Sequence, residues 1–295
     1  MNGRNDPCWC GSQKKWKQCH YPMKQPGTSG AHLDIRTDYW KKFGIRIKTP
    51  EQIQGIRRAC QLTAEILEKT CQAAKAGVTT QQLNDLAHKL TLEAHAIPAP
   101  LHYGDPPYPK SICTSLNEVI CHGIPDDVPL KEGDIMNIDL SCILNGYFGD
   151  CSKMVIIGKT TPEKEHVVNV AYECLMRSIE GLKPGVPVYK IGEAIENYAK
   201  ANRCSVVYQF VGHGVGIEFH ENPQIPHGFN RSQIPLAAGM TFTIEPMINL
   251  GVPEAVIDPT DHWTARTKDG KASAQWEHTI LITSEGHEIL TPWVR

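Results

Sequence analysis

Four carboxylates of this chain lie in apolar stretches of sequence, and metal binding would account for acidic residues in such surroundings. Asp139 and Asp150 belong to "NIDLSCILNGYFGDCSKM", Glu245 to "MTFTIEPMI" and Glu277 to "SAQWEHTILIT". A buried carboxylate without a partner is costly, and two on one face repel each other unless a proton or a cation lies between them. Carboxylates combined with an imidazole suit Mn, Fe, Co or Zn in a hydrolase with two metal ions.

The stretch "VGHGVGIEFHENP", residues 211–223, supplies candidate imidazoles. His213 and His220 are seven residues apart, which is too far for the i, i+4 spacing of a helical zinc motif. The glycines around His213 also disfavour a helix. A metal site that includes either histidine must therefore draw its other ligands from distant parts of the chain.

A β-hairpin is predicted to bring the two aspartates together. Asn145-Gly146 is the residue pair preferred by a type I′ turn, and a turn centred there places Asp150 opposite Ser141. Asp139 shares the face of Ser141 because side chains alternate along a strand. The two aspartates are then diagonal neighbours, roughly 7 Å apart at Cα. A solvated face is the alternative, but the apolar residues of both strands favour burial.

Helices are predicted around these strands. Thr49 is the expected N-cap of a helix in which Pro50 occupies the first turn and Gln52 completes a capping box. Gly77 is the expected stop. Further helices are predicted at 80–95, from Thr161 to the next glycine, and at 188–202, with strands over 98–158 and much of 206–295.

The sequence also contains a weak internal repeat. Residues 76–87 resemble residues 184–195, and residues 130–139 resemble residues 236–245. The second match ends in a carboxylate six residues after its glycine in both copies, Asp139 and Glu245. The repeat predicts two similar α+β halves with a site between them.

Five motifs resemble those of one known family, the type I methionine aminopeptidases of the pita-bread fold. They are "CHGIP", "NIDLSCILNGYFGDCSKM", "GHGVGIEFHENP", "FTIEPMI" and "QWEHTI", and they occur in the family's order over about residues 45–295. The resemblance implies an α+β pita-bread (creatinase/aminopeptidase) fold with two pseudo-symmetric halves. It also implies removal of the initiator methionine from nascent proteins when the second residue is small.

The resemblance implies a role for each candidate ligand. Asp150 and Glu277 would bridge two divalent metal ions (Co, Mn, Fe or Zn). Asp139 would complete the coordination of one ion, and His213 with Glu245 that of the other.

The remaining catalytic and pocket residues are likewise implied by the resemblance. His220 would contact the scissile amide, His122 would lie near its nitrogen, and Glu245 would carry the proton. The loop "LHYGDPPYPKSIC" is longer than the usual family loop. The implied methionine pocket is formed by Tyr103, Tyr108, Cys113, Phe219 and Trp263.

The N-terminal segment predicts a separate small module. "RNDPCWCGSQKKWKQCH" resembles the zinc module at the carboxy terminus of the SecA translocation ATPase (SEC-C), and its Cys and His spacing suits a closed structural zinc site. Residues 1–48 contain ten Lys or Arg and three Asp, a net charge of +7. The remainder contains 20 Lys or Arg and 29 Asp or Glu, a net charge of −9. We expect the module to dock on the ribosome, with a purely stabilising tag as the alternative. The expected zinc ligands are Cys8, Cys10, Cys19 and His20.

These signals predict a module at 1–21, a linker at 22–48 that packs on the body, and a catalytic domain at 49–295. No apolar run approaches the roughly 20 residues of a membrane span, and no signal segment is evident. Eleven cysteines in no disulfide pattern indicate free thiols in a reducing compartment. We therefore expect a cytoplasmic monomer that does not bind membranes.

Two other functions remain open on the sequence. An X-Pro-specific peptidase of the same fold would share the five metal ligands, although "YPKSICTSLNEVICHGIP" favours the methionine enzyme. A non-catalytic pita-bread protein bound to ribosomes is the second alternative, and the intact ligand set argues against it.

Overall fold

The computed structural model describes residues 14–19 and 34–295 of the chain. The chain divides into two units, Met1–Asp38 and Tyr39–Arg295. In the first unit a short helix, α1 (Trp16–Cys19), follows two exposed lysines. Three of the four predicted zinc ligands, Cys8, Cys10 and His20, lie outside the described residues, and so does the side chain of Cys19.

Five further helices are described. The longest begins with the predicted capping box, in which Thr49 Oγ1 accepts from Gln52 N and Gln52 Oε1 accepts from Thr49 N. It ends at Ala73, before the expected Gly77, with Ala74 as its extended C-cap. A short helix also forms within 22–48, which was predicted to be an irregular linker. The helices are α2 (Ile35–Phe43), α3 (Pro50–Ala73), α4 (Thr80–Glu93), α5 (Pro162–Ile179) and α6 (Tyr189–Ala201).

Strands fill the predicted regions. They are β1 (Ile97–Pro98), β2 (Cys113–Leu116), β3 (Val119–Cys121), β4 (Ile135–Leu144), β5 (Tyr147–Ile156), β6 (Ser205–Val206), β7 (Gly212–Gly214), β8 (Glu221–Ile225), β9 (Thr241–Ile244), β10 (Met247–Asn249), β11 (Ala255–Ile257), β12 (Ala265–Thr267), β13 (Ser273–Gln275), β14 (His278–Ile282) and β15 (His287–Ile289).

Two larger sheets carry the fold. In one, β4 pairs with β1, β2 and β5. The other has the order β15-β14-β9-β7-β8. Two three-stranded sheets, β13-β10-β6 and β11-β12-β3, complete the described part. Helix α3 packs on β4 and β5, and α5 packs on β13, β10 and β9. No helix among the described residues is long and apolar enough to cross a membrane.

The β4–β5 hairpin has the predicted register. Ser141 lies opposite Asp150, and Asp139 lies opposite Ser152. Asn145 and Gly146 both have positive φ, 51° and 81°, as a type I′ turn requires. Asp139 and Asp150 are therefore diagonal neighbours on one face.

The repeated sequences form matching structures. Gly77 N donates to Leu130 O at 2.9 Å, and at the equivalent place Gly185 N donates to Leu236 O at 2.8 Å. All four glycines of the two repeats have φ between +89° and +92°, which glycine adopts without strain. The prediction of two similar halves is confirmed, and the carboxylates at equivalent positions of the repeat, Asp139 and Glu245, line one cavity.

Candidate active site

One cavity of about 300 Å³ collects all twelve side chains that the sequence predicted for the metal site, the amide contacts and the methionine pocket. Four of them lie next to a strand end: His122 follows β3, Glu245 follows β9, His220 precedes β8 and Glu277 precedes β14. The twelve are Tyr103, Tyr108, Cys113, His122, Asp139, Asp150, His213, Phe219, His220, Glu245, Trp263 and Glu277.

The aspartate hairpin meets the larger sheet at this cavity. Glu277 N donates to Ser152 O at 3.2 Å, and this bridge joins β5 to the strand that continues as β14. Ser152 in turn lies opposite Asp139. One ligand atom each from Asp150, His213 and Glu277 lies within 4.8 Å of the other two, so these groups can share a cation.

His213 presents its Nε2 atom to the carboxylates. That atom lies 3.6 Å from Asp150 Oδ2 and 3.6 Å from Glu245 Oε1. Its Nδ1 lies 3.0 Å from Gly214 O. Because a carbonyl can only accept, Nδ1 carries the hydrogen and Nε2 keeps a lone pair for a metal.

Burial sets the electrostatics of the site. It raises the pKa of Asp139 well above its ordinary value, and the charge of Asp150 raises it further. Burial raises the pKa of Asp150 to about 7, and the pKa values of Glu245 and Glu277 also lie well above their ordinary range. Burial lowers the pKa of His213 to about 3. Without a cation, the four acids therefore resist ionisation together.

A ring of hydrogen bonds orients Glu245. Thr243 Oγ1 donates to its Oε1 at 2.7 Å, and Gln275 Nε2 donates to its Oε2 at 3.2 Å. The buried His227 accepts through Nε2 from both Gly212 N and Glu245 N, at 3.2 Å each. The sequence analysis missed Gln275 and His227. Strand alternation from Glu277 would have found Gln275, whereas His227 belongs to no recognisable motif.

The donor set fits a pair of divalent cations. It combines three buried carboxylates and the half-buried Asp139 with a lone pair on a neutral imidazole, all around one cavity. Ser141 Oγ donates to Asp150 Oδ1 at 2.6 Å, which leaves Oδ2 of that carboxylate to face His213. Oxygen and imidazole donors of this kind suit Mn, Fe, Co or Zn.

Two histidines form part of the cavity wall. His122 has a φ of +57°, an uncommon conformation that is often found at functional sites, and its ring lies 6.0 Å from that of Trp263. His220 lies at the mouth, with its ring centroid 5.0 Å from Tyr103 and 4.1 Å from His213. Burial lowers the pKa of both His122 and His220 to about 4. Both rings are therefore neutral near pH 7.

Aromatic rings shape the apolar part of the cavity. Tyr108 is buried and donates to Gly123 O at 2.9 Å, while Trp263 meets its ring edge-on at 5.2 Å. Tyr103 meets Phe219 edge-on at 5.0 Å. Four further apolar residues of the lining were not predicted from the sequence: Pro100, Phe210, Val211 and Met247.

Comparison with known proteins agrees with this geometry. The sequence profile of metallopeptidase family M24 matches residues 54–284, and that of the SEC-C motif matches residues 4–22. A methionine aminopeptidase of Chlamydia muridarum is 60% identical over 98% of both chains. The crystal structure of methionine aminopeptidase from Rickettsia prowazekii is 45% identical, with a TM-score of 0.81 over 84% of this chain and 99% of that chain. A prolidase from Pyrococcus furiosus, at 24% identity and a TM-score of 0.68, covers 88% of this chain and 68% of its own and shares the fold.

The chain therefore belongs to metallopeptidase family M24 and has its pita-bread fold. Within that family it groups with the type I methionine aminopeptidases, and its N-terminal segment carries a SEC-C motif.

Proposed function

We propose that this chain is a metal-dependent aminopeptidase that removes the N-terminal methionine of nascent polypeptides whose second residue is small. One observation carries the proposal: metal donors, two neutral histidines and an aromatic pocket line a single cavity. Close similarity to methionine aminopeptidases over nearly the whole chain supports it.

The donor set and the family resemblance assign the metal ligands. Asp139, Asp150, His213, Glu245 and Glu277 would hold a pair of divalent cations. A bound pair of divalent cations supplies a water whose pKa is lowered toward neutrality.

The chain's own residues perform the proton and charge steps. Glu245 takes up and returns a proton at a carboxylate oxygen, since Thr243 and Gln275 hold that group in place. His220 donates a hydrogen bond to the carbonyl oxygen of the scissile amide as negative charge develops there. His122 lies on the cavity wall where the amide nitrogen leaves. Because burial keeps both rings neutral, each can donate or accept without a prior change of charge.

The aromatic pocket selects methionine. Its walls, formed by Tyr103, Tyr108, Phe219 and Trp263 with the Cys113 thiol, are apolar and polarisable. Thioethers make favourable contacts with aromatic rings.

An X-Pro-specific activity is disfavoured. The prolidase of P. furiosus shares only the fold at 24% identity, whereas the methionine aminopeptidases of C. muridarum and R. prowazekii match at 60% and 45%. The intact donor set around the cavity also argues against a non-catalytic protein.

A peptide assay tests the proposal. Protein stripped with a chelator should release no amino acid, and Mn²⁺ or Co²⁺ should restore methionine release from Met-Ala-Ser. Met-Trp-Ser and Ala-Pro-Ser should remain intact. Cleavage of Ala-Pro-Ser in preference to Met-Ala-Ser would overturn the assignment.

We further propose that the N-terminal module holds one structural zinc through Cys8, Cys10, Cys19 and His20 and brings a monomeric enzyme to the ribosome in the cytosol. The SEC-C match and the positive charge of residues 1–48 support this. The cysteines whose side chains the structure describes are all free and buried, as in proteins of reducing compartments.

A further inference from the structure

A polar groove opens beside the catalytic cavity, and we call it the α2 groove. It has a volume of about 460 Å³. Val211, His213 and His220 line both the groove and the cavity, so the two spaces meet at the mouth of the site. The remaining wall includes Trp40, Gly44, Arg46, Glu218, Asn222 and Gln224.

The outer wall of the groove is fastened to the loop that carries His220. Arg46 forms an ion pair with Glu218. Asn222 Nδ2 donates to Phe43 O at 3.4 Å, and Ile45 forms a parallel β-bridge with Asn222. The end of α2 and the segment after it are therefore in place beside the site before any substrate binds.

The two walls of the groove come from different parts of the chain. The M24 profile begins at residue 54, whereas Trp40, Gly44 and Arg46 precede it. The rest of the groove wall, from Val211 to Gln224, belongs to the part that the profile matches. The groove therefore combines the loop that carries His220 with a segment that precedes the profile.

We infer that the α2 groove binds the polypeptide downstream of the cleaved bond, from the third residue onward. This inference rests on the proposed function. The cavity, at about 300 Å³, is at the small end of ligand pockets, so the rest of a longer substrate extends beyond it, and the groove shares His220 with the cavity. The groove begins at that histidine.

The chemistry of the groove suits an extended chain of varied sequence. Trp40 is 53% exposed and offers a flat apolar face, with the guanidinium carbon of Arg46 at 5.4 Å from its ring centroid. The Asn222 and Gln224 amides can donate to and accept from backbone amides. Because Arg46 is paired with Glu218, the wall has little net charge, so neither acidic nor basic substrates are favoured.

Substrates of two lengths test the inference on the full metal-loaded chain. We would measure kcat/KM for Met-Ala amide and for a hexapeptide amide that begins Met-Ala, and take their ratio. Trp40→Ala should lower the hexapeptide-to-dipeptide ratio by about threefold to tenfold, the effect of losing one aromatic contact, and Trp40→Phe should restore most of it. Phe229→Ala removes an aromatic that is 72% exposed and outside both spaces, and it should leave the ratio unchanged.

The possible outcomes separate the two proposals. No methionine release from either peptide by the parent protein would refute the proposed function. Release from both peptides, with the same ratio in Trp40→Ala as in the parent, would refute the groove alone. An equal fall in the ratio for Phe229→Ala would also refute it, because the effect would then not be local.

Discussion

Asp139 gives the most direct test of the metal site. Asp139→Asn keeps the size of the side chain but removes a charged ligand, so we expect near-complete loss of methionine release and a fall in bound metal from two ions to about one per chain. Metal content by mass spectrometry and the Met-Ala-Ser assay would check this. Asp127→Asn changes an exposed aspartate and should retain both metals. Full turnover with two ions in Asp139→Asn would show that it is not a ligand.

His220 and His213 should differ in what their loss does. His220→Ala removes a donor to the developing oxyanion, and kcat should fall by roughly 10²–10³ while metal content stays normal. His213→Ala should instead lose metal, since the Nε2 of His213 faces two carboxylates at 3.6 Å. Metal loss from His220→Ala with normal content in His213→Ala would mean that the two roles are exchanged.

The buried acids also predict how metal stabilisation depends on pH. Asp150 has a folded-state pKa of about 7, above its value in the unfolded chain. In the metal-free protein its contribution is fully favourable below about pH 4 and is lost as pH rises through 7. A cation reverses this penalty by binding the ionised form. The rise in Tm on adding Mn²⁺ should therefore be larger at pH 8 than at pH 6, and a constant shift would contradict the prediction.

At the scale of elements, the sequence predicted those features that depend on residues close together in the chain. The Asn145-Gly146 turn fixed the register of the aspartate hairpin, and Thr49 with Gln52 fixed the start of α3. Helix α2 was missed because it has nine residues, of which only Tyr39 is buried, so it shows almost no apolar periodicity. Gly77 was predicted to end α3, but the helix ends earlier. The positive φ of Gly77 and its hydrogen bond to Leu130 O belong to the turn that is repeated at Gly185.

A buried ion pair anchors the loop that carries His220. Lys48 Nζ lies 3.1 Å from Glu221 Oε1, and the two side chains are 1% and 5% exposed. Lys48→Met would leave the buried Glu221 carboxylate with Arg46 at 4.0 Å and a hydrogen bond from Ile217 N at 3.1 Å. We expect a loss of about 3–5 kcal/mol in the free energy of unfolding, measured by urea denaturation.

Two controls accompany this prediction. Lys48→Met combined with Glu221→Gln removes the isolated charge and should recover much of the loss. Lys89→Met breaks an exposed pair with Glu93 and should cost at most about 0.5 kcal/mol. Equal losses for Lys48→Met and Lys89→Met would show that the buried pair does not anchor the loop.

At the scale of the whole molecule, the site exists because two similar halves face each other. Asp139, within β4, and Glu245, just after β9, occupy equivalent positions of the sequence repeat and line one cavity. The bridge between Ser152 and Glu277 joins segments that are more than a hundred residues apart, and no local pattern predicts such a contact. The family resemblance assigned the metal ligands to one site. The hydrogen bond from Glu245 N to His227 Nε2 could be found only from the three-dimensional structure.

The last prediction concerns the N-terminal module, which should affect location and not chemistry. All twelve predicted site residues lie beyond residue 100, and a closed Cys3His zinc has no open position for water. A truncated protein that begins at Asp34 keeps α2 and should cleave Met-Ala-Ser at a near-normal rate. Its co-sedimentation with ribosomes should weaken, and that of the full chain should fall as salt rises, because a basic segment on phosphate releases counterions. Cys8→Ser in the full chain should mimic the truncation by preventing zinc binding. Loss of peptide cleavage in the truncated protein, or ribosome binding that is the same with and without the module, would refute a docking role.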